Sequence, residues 1–112
     1  MNRILAALLL LLAAASQASI DQCLLPDVPG LPDGATADLS TMVAGQQAVK
    51  AYLSDAEAYL DCLITQAAAD TEAETDALRQ GRIAAHDAAV EAMETLAEAF
   101  NEEIREYKAQ GG

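Results

Sequence analysis

The chain has 112 residues, of which 18 are Asp or Glu and 6 are Lys or Arg, giving a net charge of −12 at pH 7. This length holds one small domain, and so acidic a surface repels the phosphates of a nucleic acid. Hydrophobic residues make up 53% of the chain but aromatic residues only 4%. We therefore expect no roomy core able to enclose a large cofactor, and we predict none.

Residues 1–18 have the pattern of a secretory signal peptide. Arg3 precedes an apolar run, and Ser16 and Ala18 place small residues at the −3 and −1 positions of a cleavage site. The run, residues 4–15, is shorter than the ~20 residues that span a bilayer, although an uncleaved anchor is an alternative. Removing 18 of the 112 residues, Arg3 among them, leaves 94 residues and a charge of −13. We expect a periplasmic or secreted bacterial protein with no stable membrane insertion after cleavage.

Two cysteines, Cys23 and Cys62, follow the predicted signal peptide. An even count in an oxidising compartment favours one disulfide; a redox or metal role and intermolecular pairing are the alternatives. Loop-closure entropy predicts about 4 kcal/mol of stabilisation for a loop of about 40 residues. That is a large share of the ~5–15 kcal/mol typical of a folded domain.

Residues 19–35 form a proline-rich segment. Pro26, Pro29 and Pro32 recur at every third residue, which is the repeat of a polyproline II helix, and Asp33-Gly34 is a turn signal. The sequence therefore predicts an extended arm that ends in a turn. A flexible linker is the alternative, but a disulfide at the start of the segment argues against it.

A first helix is predicted over about 37–69, with Thr36 as its N-cap and Asp38 in its first turn. Its apolar positions recur at steps of three, four and seven, namely Met42, Val49, Leu53, Ala56, Leu60, Leu63 and Ala67. Tyr52 and Tyr59 lie on a neighbouring edge. Nine residues of polyproline II span about 28 Å, close to the ~32 Å of the last 21 residues of helix before Cys62. We expect the arm to run antiparallel along this helix, with its prolines packed on the two tyrosines.

A second helix is predicted to end near 109 and to begin at 71 or at 82. Thr71 and Glu74 have the form of a capping box, whereas Gly81 is a helix breaker. Its apolar stripe alternates steps of three and four through Ile83, His86, Val90, Met93, Ala97, Phe100, Ile104 and Tyr107. We interpret this stripe as the helix interface. The predicted fold is all-α: an antiparallel helical hairpin (36–112) with a disulfide-tethered arm (19–35). A single long helix in a parallel coiled coil is the alternative.

Several residues resemble a group of small secreted bacterial proteins. The shared pattern is Pro32-Asp33-Gly34, Ala35-Thr36, Met42, Val49-Lys50-x-Tyr52 and Tyr59-Leu60-x-Cys62. It covers roughly residues 23–64, the arm and the first helix. The group has no assigned activity, so the resemblance implies a scaffold and carries no catalytic residue.

Candidates for chemistry are few. His86 is the only histidine; on an apolar stripe it favours a packing role, with a pH-dependent switch or a metal or catalytic site as alternatives. The alternating carboxylates from Asp70 to Asp76 resemble the start of a calcium loop, but the glycine at position six and the glutamate at position twelve are missing. We interpret that stretch as a solvated turn.

The first functional hypothesis is a non-enzymatic exported interaction or structural module that presents an acidic surface. We expect its partner to be a basic protein, which suits the acidic surface, or a second copy of the chain. Self-association is expected because an alanine-rich helical pair buries little apolar area by itself. The alternatives are a small metal-binding or enzymatic protein centred on His86 and nearby carboxylates, and an acidic inhibitor of a cationic secreted enzyme.

Overall fold

The computed structural model describes residues 23–69 and 74–111; the predicted signal peptide, 1–18, lies outside them. Two α-helices, α1 (Leu39–Ala69) and α2 (Asp76–Ala109), pack against each other in antiparallel orientation. Within the described ranges there is no β-strand. The predicted all-α hairpin is confirmed. Neither helix has a stretch apolar and long enough to cross a bilayer.

The start of α1 differs from the prediction by two residues. Asp38, rather than Thr36, is the N-cap: its Oδ1 accepts a hydrogen bond of 2.8 Å from the Thr41 N–H. The Thr41 side chain first, and its N–H second, hold the pKa of Asp38 below the ordinary value. Thr36 instead belongs to the preceding turn, in which the Asp33 carbonyl accepts the N–H groups of Thr36 and Ala37 at 3.2 and 2.8 Å.

The start of α2 matches neither predicted position. Thr75 is the N-cap, and its Oγ1 accepts the Leu78 N–H at 3.2 Å. Thr71 lies outside the described residues, and Gly81 lies inside the helix, so the predicted break there is wrong. A glycine costs a helix interior only ~1 kcal/mol, and nearby an ion pair between the largely buried side chains of Arg82 and Glu74 ties the helix to its N-terminal connection.

The buried seam of α1 runs through both tyrosines. Its positions step by seven, three, four, three and four residues, as Met42, Val49, Tyr52, Ala56, Tyr59 and Leu63. Gly45 fills the gap in this repeat. The predicted stripe is therefore rotated slightly: Leu53 and Leu60 are half-buried at its edge, and the tyrosines lie in its centre.

The buried seam of α2 runs through Ala89, Leu96 and Phe100. Of the predicted interface, Phe100 is buried, while His86, Val90, Met93, Ile104 and Tyr107 are half-buried and Ile83 is 49% exposed. At its N-terminal half the helix thus turns small residues, Ala85 and Ala89, toward the core. These alanines pack against a cluster containing Cys23, Tyr59 and Leu63, and their small size lets the arm approach closely.

Candidate functional site

The arm, described from residue 23 to its end at 35, is attached to the hairpin at both ends. At its start, Cys23 and Cys62 form the predicted disulfide, with their Cα atoms 5.7 Å apart. Cys23 is buried together with Tyr59, Leu63 and Ala89, which belong to both helices. The disulfide therefore fixes the arm to α1 at a point where α2 also covers it.

The other end of the arm is held by two glycines that leave no room for a side chain. A Cβ on Gly34 would overlap the main chain of Glu103 in α2, and one on Gly45 would lie 2.7 Å from the Pro32 ring. Gly34 also donates its N–H to Glu103 Oε2 at 2.7 Å, and the side-chain amide of Gln110 donates to the Gly34 carbonyl. The turn of the arm thus rests on α2, while Pro32 rests on α1.

The arm lies along one side of the hairpin, which we term the arm face. Pro26 and Tyr59 line one groove of this face, on α1. Pro29 lines a second groove, which it shares with Val28 and Leu31 of the arm and with Ala88, Ala92 and Ala99 of α2. Each of the three prolines therefore meets a different part of the helical pair. Packing of a proline on Tyr52 stays a prediction.

The opposite side of the hairpin, which we term the open face, carries larger apolar side chains. Three grooves follow the line between the helices there. They are lined by Leu39, Val43, Gln46, Lys50, Leu53 and Ile64 of α1, and by Ile83, His86, Asp87, Ala97, Asn101, Ile104 and Lys108 of α2. No described residue of the arm lines any of them.

His86 lies on the open face, at the edge of a groove of about 220 Å³ next to Ile64 and Ile83. Its Nδ1 lies 3.7 Å from Oδ1 of Asp87, which is beyond hydrogen-bonding distance. Among the described residues, the one group of three carboxylates close enough to share a cation does not include it. Among the described residues, His86 thus has a carboxylate neighbour that it does not hydrogen-bond, Asp87, and apolar neighbours in Ile64 and Ile83.

That carboxylate group lies at the other end of the molecule, where the arm turns onto α2. One oxygen each from Asp33, Glu103 and Glu106 lies within 4.8 Å of the others. The charge of Glu103 first, and a hydrogen bond that protonated Glu106 donates to it second, raise the pKa of Glu106 above its ordinary value, with desolvation and Asp33 adding less. The sequence offers no signal for this cluster, because Asp33 is far from the glutamates along the chain.

A second acidic feature follows the outer side of α2. Glu91, Glu94, Glu98 and Glu102, which we term the acidic stripe, recur at steps of three and four and are all exposed. Only Glu102 has a cationic partner among the described residues, Arg105. Glu91, Glu94 and Glu98 therefore form an uncompensated row of negative charge along about two turns of helix.

Comparison with known protein families, with curated proteins and with solved structures finds no match to this chain.

Proposed function

We propose that this protein is a non-enzymatic exported helical module that binds a basic protein through the acidic stripe of α2. The observation that carries the proposal is the stripe itself. Four carboxylates share one exposed side of a helix, and three of them have no ion-pair partner among the described residues. Like charges at this spacing slightly destabilise a helix on their own, and a cationic partner would remove that cost.

The surroundings of α2 favour a rigid presentation of these charges. The arm packs on α2 through Gly34, and the disulfide pins the start of the arm against Ala89. Binding groups on a braced helix lose less freedom on association than groups on a loop. The net charge of −12 would speed the encounter with a cationic partner.

The disulfide supports an extracytoplasmic setting, because disulfides persist in oxidising compartments. A basic partner there could be a structural protein or a cationic secreted enzyme, for which this chain would act as an acidic inhibitor. A role centred on His86 has less support, since the carboxylate within ion-pair distance of it among the described residues, that of Asp87, lies 3.7 Å away.

The experiment is an affinity capture from the native envelope extract with the disulfide-bonded protein as bait. The test variant is Glu94→Lys with Glu98→Lys, and the matched control is Asp27→Lys with Asp61→Lys, which changes the charge equally at exposed sites elsewhere. We expect a basic protein that the bait and the control retain, that the test variant loses, and that ~0.5 M salt releases by screening exposed charges. Retention by all three baits would contradict the proposal.

A further inference from the structure

The open face exposes apolar side chains that the hairpin does not cover. Leu39 is 63% exposed, Val43 43%, Ile64 60% and Ile83 49%. These residues follow one side of both helices, along the three grooves between them. Large apolar side chains exposed along one face of a molecule mark a candidate interaction site. The face also carries the apolar stripe of α2 that the sequence predicts. Contact with α1 buries the side chains of this stripe only in part.

The charges on this face differ from those on the rest of the molecule. The two grooves between 39–53 and 97–108 are lined by no carboxylate, although the chain has 18. They are lined instead by Lys50 and Lys108. Within the described ranges these lysines form no ion pair, whereas Arg79, Arg82 and Arg105 each pair with a carboxylate of this chain. The face therefore fits an apolar helix flanked by acidic side chains.

We propose that the open face binds a second copy of this chain in antiparallel orientation, forming a four-helix bundle. The two-fold axis crosses the hairpin where Leu53 of α1 and Ala97 of α2 line the same groove. Such an axis places α1 on α1 and α2 on α2 of the partner subunit. The same surface patch is used by both copies, as a two-fold interface requires.

The positions of the charges fix the axis at this level independently on each helix. On α1, Glu57 lies one heptad from both Lys50 and Ile64 and so on the same side of the helix, and the midpoint of Lys50 and Glu57 falls between residues 53 and 54. On α2, the midpoint of Asp87 and Lys108 falls between residues 97 and 98. One axis therefore brings Lys50 opposite Glu57 of the partner subunit, and Lys108 opposite Asp87 of the partner subunit.

The face is also large enough. The 31 residues of α1 span about 46 Å at ~1.5 Å each, and two helices ~10 Å in diameter lie side by side. The covered face is then on the order of 900 Å² per copy, compared with the ~800 Å² per partner of a standard stable interface. The closed bundle would bury the large side chains that the open face exposes.

The test uses charge reversal and sedimentation equilibrium of the disulfide-bonded protein over a wide concentration range. We expect the wild type to dimerise, and Lys50→Glu and Glu57→Lys each to weaken the dimer by on the order of 10-fold or more, because each reverses both symmetry-related pairs. Mixing the two variants in equal amounts should restore a wild-type affinity, because both cross-chain pairs then join a lysine to a glutamate. The pair Asp87→Lys and Lys108→Glu should behave in the same way.

The matched control is Asp55→Lys, which reverses a charge of the same helix on the arm face and should leave the affinity within about twofold. All these residues are exposed, and circular dichroism verifies that each variant folds. A wild type that stays monomeric at every concentration overturns the proposal. So does a dimer that neither single variant weakens, or one that mixing fails to restore. The acidic stripe adjoins the open face at Glu94, one heptad from Asp87 and Asn101, and its own charge reversals test it separately.

Discussion

The arm face and the open face are two sides of the same helical pair, and they bury their residues in opposite ways. Where the arm lies on α2, the arm face is built largely from alanines, and the arm comes into direct contact with the helix at Gly34 and the main chain of Glu103. The open face carries leucine, valine and isoleucine, and several of these stay about half exposed. Where the arm meets α2, burial follows how closely the two segments can approach rather than how large their side chains are.

The two faces contribute to stability in different ways. Small residues bury little area each, so the arm face depends on its covalent anchor and on close fit. The contribution of the open face to stability depends on whether another molecule covers its apolar side chains. The two faces therefore predict different responses to substitution.

The largest effect should come from removing the anchor of the arm face. Replacing Cys23 and Cys62 by serine, or reducing the disulfide, should lower the free energy of unfolding by about 4 kcal/mol, because the unfolded chain regains the freedom of a long loop. Urea denaturation followed by circular dichroism measures this. An unchanged midpoint would show that the arm contributes no stability through its tether.

The next largest effect should distinguish Gly45 from Gly81, the two glycines inside the described helices. Gly45→Ala places a Cβ 2.7 Å from the Pro32 ring, and overpacking of this kind costs about 1–3 kcal/mol. Gly81 is exposed, so Gly81→Ala should instead stabilise the helix by about 0.5–1 kcal/mol. The same denaturation experiment gives both values. Equal gains at the two positions would mean that the arm does not press on α1.

A third pair of substitutions compares a small buried residue with a large exposed one. Ala89 is fully buried beside Cys23 and Tyr59, so Ala89→Leu should cost about 1–3 kcal/mol by overpacking. Ile83 is half exposed, so Ile83→Ala should cost less than about 1 kcal/mol in the monomer. The free energy of unfolding, measured at low protein concentration, checks this order. The reverse order would show that the interface runs along the stripe predicted from the sequence.

The sequence predicted the fold because its signals there are local and periodic. The steps of three and four residues place two helices, the proline repeat places an extended arm, and the two cysteines allow one intramolecular pairing. Cap positions were predicted less well, because Thr36 and Asp38 are both good N-caps and only the Asp33 turn decides between them. Of the two candidate bends, the one at Gly81 is wrong, because a glycine costs a helix interior little free energy.

The seam of α2 could not be predicted from the helix alone. The predicted stripe runs through Val90 and Ala97, whereas the buried residues Ala89 and Leu96 each lie one position, about 100°, away. Which of the two is buried depends on the arm, whose contact with Ala89 joins distant parts of the chain. Gly45 did carry a usable signal, since it stands at a heptad position between Met42 and Val49. The cluster of Asp33, Glu103 and Glu106 carried none, because only the folded turn brings these residues together.

The smallest expected effect is a pH-dependent change in stability at the cluster of Asp33, Glu103 and Glu106. This cluster lies where the arm turns onto α2. The pKa of Glu106 is raised in the folded state, so the native state binds its proton more tightly than the unfolded chain does. Its stabilising contribution is thus present below the unfolded pKa of about 4.3 and is lost as pH rises through the folded pKa.

Glu106→Gln keeps the uncharged form at every pH, so it should be more stable than the wild type at pH 7 and lose this advantage toward pH 4. Asp38 gives the control of opposite sign, because its pKa is lowered. Asp38→Asn should be less stable than the wild type at pH 7, and this deficit should vanish as pH falls through the folded pKa. Denaturation midpoints across this pH range test both. If the curve of Glu106→Gln runs parallel to that of the wild type, the carboxylates do not oppose one another where the arm turns onto α2.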